Sequence, residues 1–131
     1  MGQTRAFLWV QLAGTALAVL LVFFVEGIKG IALWNVVPLA LALGSIAIGR
    51  GDFGTQEVRV GALLFWISQV ASVTVLHAAW YFDWGAVTTR SSTAGLIFLV
   101  VPVYTVTGGL LLAGLTILAS VGLKRWSHGG A

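Results

Sequence analysis

AGLIFLVVPVYTVTGGLLLAGLTILASVGL, from Ala94 to Leu123, carries no charged side chain along its whole length and is closed by Lys124 and Arg125. About 20 apolar residues suffice to cross the hydrocarbon of a bilayer as an α-helix, whose backbone polar groups are satisfied within the segment itself. A soluble domain of this size has no use for an uncharged helix that long, so the run reads as a membrane span.

The rest of the chain gives that span partners. Working back from it, three more apolar runs appear, and together they predict an all-α, integral membrane four-helix bundle forming a single transmembrane domain over residues 1–131. The helices are expected at about 6–25, 30–49, 58–82 and 92–123. The first run is long for the apolar core of a signal segment, and no small-x-small cleavage pattern follows it, so it reads as a retained helix. Thr55 to Val58 offers a partial capping box for the third helix, and Ser91 or Ser92 an N-cap for the fourth.

Composition agrees. Hydrophobic residues make up 59% of the chain and charged residues 8%, against roughly half and a quarter in globular proteins. Seven basic residues against four acidic ones give a net charge of +3, too sparse for the basic face that nucleic-acid binding needs. Nucleic acid is therefore not an expected partner. There is no cysteine, which removes disulfides, thiolate metal sites and a Cys nucleophile.

The positive charge reads instead as topology. Arg5, Arg50, Arg59, Lys124 and Arg125 fall on one side of the bundle, Lys29 and Arg90 on the other. The richer side is expected to be cytoplasmic, placing both termini and the Arg50–Arg59 loop there, in a multi-pass protein of the cytoplasmic (inner) membrane. Trp9 and Trp126 then lie near that face, and Trp34, Trp80, Tyr81 and Trp84 near the other, as interfacial aromatics do.

Val36-Val37-Pro38 and Val100-Val101-Pro102 recur in the second and fourth runs, and Trp9 and Gln11 in the first are echoed by Trp66 and Gln69 in the third. The near-constant offsets are compatible with two helical hairpins related by a pseudo-twofold axis along the membrane normal.

Several residues bear on function. Pro38 and Pro102 each remove a backbone donor inside a helix, freeing the carbonyls of Trp34 and Phe98. Such kinks open cavities in transporters, although membrane helices also tolerate proline where neighbours re-satisfy the carbonyls. Asn35 is placed either to serve those carbonyls or to cap a later helix start. Gly14 with Ala18, Ala40 with Gly44, and Gly109 with Ala113 are small pairs at helical spacing, the kind that lets backbones approach closely in lipid.

The third helix carries a polar strip of Ser68, Gln69, Ser72, Thr74 and His77. Gln69 and Gln11 are candidates to hydrogen-bond each other. His77 is the candidate axial ligand for a haem or pigment, or a titrating group near neutral pH; the bland reading is an interfacial histidine bonded to a hydroxyl or carbonyl. The sequence specifies no cofactor and no metal set. Glu26, Lys29, Asp83 and Arg90 all fall at helix ends, so no intramembrane charge is expected, which argues against an ion-coupled carrier. No GxSxG, HExxH or GxxxxGK[ST] motif is present, and no catalytic residues are assigned.

The resulting expectation is a non-enzymatic membrane protein acting through helix–helix contacts, as an accessory subunit of a larger complex or a homo-oligomer. Its partners are the lipid bilayer and other membrane subunits or copies of itself. The alternative is a small transporter or channel for a neutral or small solute. A pigment- or haem-ligating subunit through His77 is the third.

Overall fold

Each helix ends where the chain can turn the backbone without stranding polar groups. The computed structural model describes residues 5–51, 54–86 and 94–129. Within these it has four long helices: α1 (Arg5–Glu26), α2 (Gly30–Arg50), α3 (Gln56–Tyr81) and α4 (Ile97–Gly129). Short 3-10 turns occupy Trp84–Ala86 and Ala94–Leu96, and no strand occurs among the described residues.

α1 stops at Gly27, whose φ of 72° is left-handed and whose N–H still reaches the Phe23 carbonyl at 2.9 Å. A side chain at that position would strain the backbone, so glycine both closes the helix and starts the turn into α2. Thr55 caps α3 by accepting from the Val58 N–H at 3.4 Å, as the partial box predicts. The fourth helix differs from expectation at both ends: the α-helix begins at Ile97 after the 3-10 turn instead of near 92, and Trp126 and Ser127 continue as helix to Gly129 instead of fraying. The predicted caps Ser91 and Ser92, and Arg90, lie outside the described residues.

All four helices are long and apolar enough to cross a membrane. α3 packs against α1, α2 and α4, and α2 likewise touches the other three, so these two form the centre with α1 and α4 on the flanks. A twofold exchanging α1 with α3 and α2 with α4 would require α1 and α4 to pair as α2 and α3 do, and they do not. The repeated sequence offsets are thus not matched by equivalent packing.

The apolar core lies between α1, α2 and α3, where Ala18, Val22, Ala32, Leu39 and Val73 are buried with Val19, Phe23, Val36 and Val70 against them. At most 33% of the most apolar stretch of any span is buried inside the bundle. The remainder must meet lipid or another protein, because it cannot meet water.

Candidate functional site

The densest polar assembly in the bundle lies at the end away from Arg5, Arg50 and Lys124. Glu26 is the last residue of α1 and continues, four residues after Val22, the face that this helix buries. The side chain is 5% exposed, and the His77 ring it meets is fully buried. His77 Nε2 stands 2.6 Å from Glu26 Oε1, and Nδ1 stands 2.8 Å from the Val73 carbonyl oxygen one turn earlier in α3. α2 adds Asn35, fully buried, whose Nδ2 donates to the Ile31 carbonyl and to both Glu26 oxygens at 3.1 and 3.4 Å. α4 closes the site with Phe98, whose ring centroid is 5.0 Å from that of His77 and 4.9 Å from that of Trp80.

Glu26 falls at a helix end, as expected, but it stands four residues after Val22 on the face of α1 that also buries Gln11, Thr15 and Ala18, so its carboxylate turns inward onto His77. Asn35 likewise serves Glu26 and Ile31 instead of the Trp34 carbonyl that Pro38 frees.

His77 offers no free ring nitrogen, since one faces a carbonyl and the other a carboxylate. As an axial ligand it would have to give up Glu26 and leave the interior. Among the described residues no group of three His, Asp or Glu side chains is placed to hold a metal.

The rest of the polar strip is divided. Gln69 is fully buried, and its Nε2 donates to the Thr105 carbonyl of α4 at 2.9 Å and to Ser68 Oγ at 3.1 Å. It does not pair with Gln11, which is buried on α1 with its Oε1 unpartnered. Ser68, Ser72 and Thr74 are half-buried. Gln69 and His77 therefore face α4 and α1, and helices close over them.

Two further ties cross the bundle. Trp66 Nε1 donates to Thr15 Oγ1 at 2.9 Å, joining α3 to α1, and Ser45 Oγ reaches the Ala62 carbonyl at 3.2 Å, joining α2 to α3. At the basic end Lys124 pairs with Glu57, joining α4 to the first turn of α3.

Of the small pairs, Gly14 lies under the Trp66 ring, Ala18 is in the core, and Gly109 and Ala113 face α3. Ala40 and Gly44 are exposed rather than packed inside the bundle, and a Cβ added at Gly44 would meet nothing within 4 Å. The inward face of α2 is carried by Ala42, Ser45 and Gly49 instead.

Pro38 and Pro102 are buried, and neither lines the open groove of the bundle. That groove, about 370 Å³, lies further toward the basic end between α2 and α4, with Gly61, Ala62 and Phe65 of α3 as its floor. Gly44 and Ile48 form one wall, Leu110 and Ala113 the other. α2 and α4 are tied nearer the opposite end, where Trp34 Nε1 donates to the Leu99 carbonyl at 2.8 Å.

No family model matches the chain, and comparisons with curated proteins and with solved structures find no similar protein.

Proposed function

We propose that this protein works laterally in the membrane, as an accessory subunit of a larger assembly or as a homo-oligomer, through helix–helix contacts centred on the α2–α4 groove. In this reading the Lys/Arg-rich end, with both termini, faces the cytoplasm, and the host is the cytoplasmic membrane. One observation carries it. The interior polar side chains tie helix to helix, while the groove between α2 and α4 is apolar, with Gly44, Gly61, Ala62 and Ala113 set among larger apolar side chains. Small residues on a helix face let a second backbone approach closely in lipid, where dispersion and hydrogen bonding drive association.

Extraction from native membranes in mild detergent, followed by mass measurement of the intact particle, tests this. The reading expects a particle heavier than one chain plus lipid, its mass distinguishing a second copy from a different subunit. Gly44→Phe, at a position where an added Cβ meets nothing within 4 Å and the ring would occupy the groove, is expected to dissociate it. A lone chain with lipid only, or an assembly indifferent to Gly44→Phe, overturns the reading.

The alternative of a small transporter or channel draws on the Glu26–His77 pair, since ionisable groups inside membrane bundles commonly mark a solute or proton path. Against it, the pair is closed over by Phe98 and Asn35. Uptake assays in proteoliposomes separate the two: flux abolished by Glu26→Gln favours transport, and none favours the lateral role.

A further inference from the structure

We infer that the arginine-rich end of the bundle is a binding surface for the phosphate headgroups of anionic phospholipids. Charge placement comes first. Arg5, Arg50, Arg59, Lys124 and Arg125 stand at that end with Asp52 and Glu57, five basic residues against two acidic. At the other end Lys29 and Arg90 balance Glu26 and Asp83. The whole net charge of +3 therefore belongs to one end, in a sum over the sequence that includes Asp52 and Arg90, which lie outside the described residues.

The helices bring these residues to one level. Arg5 opens α1, Arg50 closes α2, Arg59 stands at the start of α3, and Lys124 and Arg125 follow the apolar run of α4 at Leu123. Gly49 packs so closely on α3 that an added Cβ would lie 3.2 Å from the Ala62 Cβ and 3.7 Å from the Arg59 Cα. Arg50 and Arg59 thus leave from neighbouring helix ends. Lys124 pairs with Glu57, two residues before Arg59, which brings Arg125 to the same rim. Arg5, Arg50 and Arg125 are exposed and Arg59 is half-buried. Long basic side chains at the boundary of an apolar span lay their stems along it and carry their charge to headgroup depth.

The residue type selects the ligand. Orientation in the membrane depends on Lys and Arg alike. Phosphate distinguishes them, because the planar guanidinium donates two parallel hydrogen bonds to its oxygens whereas an ammonium acts as a point charge. Of the five basic residues at this end, Lys124 alone is not arginine. A zwitterionic headgroup would bring its own cation to a surface already positive; an anionic one brings none. Each basic residue beside an anionic surface favours it roughly fivefold. The surface lies at the rim, beyond the apolar groove, so lipid held there leaves the groove open to a protein partner.

Native mass spectrometry of the full chain released from nanodiscs with equal phosphatidylglycerol and phosphatidylcholine tests this. The parent is expected to retain phosphatidylglycerol several-fold over phosphatidylcholine, a result read without any variant. Arg50→Gln combined with Arg125→Gln should bring the two lipids near parity, while thermal unfolding in pure phosphatidylcholine nanodiscs keeps the parent's midpoint. Lys29→Gln, which removes an exposed charge from the other end, should leave the preference intact. So should inorganic phosphate exchanged for chloride at constant ionic strength, because the ligand is the lipid and not the free ion. Equal retention of the two lipids by the parent overturns the proposal. So does a preference that survives loss of both arginines, that falls as far in Lys29→Gln, or that yields to free phosphate.

Discussion

Replacing Gly109 with alanine is a sharp test of how α3 and α4 pack. A methyl group at Gly109 would fall on Gln69 Nε2 closer than any real contact, within 2.6 Å of Ser68 Oγ and at 3.0 Å from the Phe65 ring. Gln69 is fully buried and bonded, so it has to move off both the Thr105 carbonyl and Ser68. Overpacking of this kind costs about 1–3 kcal/mol. Each interhelical hydrogen bond lost in a membrane protein adds roughly 0.6 kcal/mol. Alanine also gains up to about 1 kcal/mol of helix propensity, which would mask part of the effect. Gly108→Ala removes that ambiguity, because nothing lies within 4 Å of its added methyl while the propensity gain is the same. The difference between the two variants should therefore be about 2–4 kcal/mol, with Gly109→Ala the less stable. Reversible unfolding in mixed detergent micelles, followed by tryptophan fluorescence, measures it. Removing the obstructing side chain as well, in Gly109→Ala with Gln69→Ala, should recover part of the loss. If Gly108→Ala and Gly109→Ala unfold together, the close approach of α4 to Gln69 is wrong.

The same unfolding assay checks three further expectations. Trp66→Phe and Thr15→Val each break the tie between α1 and α3 and should cost about 1 kcal/mol, with the double variant little worse than either alone. Asn35→Ala strips Glu26 of its amide donor and opens space in a fully buried position; a loss of about 2–3 kcal/mol is expected. Lys124→Gln removes a pair whose lysine is exposed, so its effect should be small and shrink further in salt.

How much of this was legible in the sequence differs between fold and site. Four spans, their order and the ends of the first three follow from apolar run length and from Gly27 and Thr55, because lipid forces a helix to satisfy its own backbone. The end of α4 was missed because Lys124 and Arg125 look like a stop, whereas a helix can continue beyond the hydrocarbon with its charges in water. His77 was singled out as the one histidine in a span. Its partner was not, because a carboxylate at a helix end is solvated or buried according to the face of the helix it stands on. The signal lay in spacing: Glu26 follows Val22 by four residues on the face of Gln11, Thr15, Ala18 and Val22, which α1 buries. Ala40 and Gly44 show the converse limit. Spacing of small residues marks a face of the helix, but only Asn35, Ala42 and Ser45, offset around α2, indicate which face turns inward. In a chain this apolar, lipid-facing and helix-facing sides carry nearly the same residues.

Site-directed photocrosslinking in native membranes tests the lateral role most directly. A photoreactive side chain at Gly44 or Leu110, on the two walls of the α2–α4 groove, is predicted to yield a protein adduct of discrete mass, whereas Leu17 or Leu20 on the outward face of α1 yields lipid adducts alone. Lipid adducts alone from the groove positions, or protein adducts equally from every face, would contradict the account.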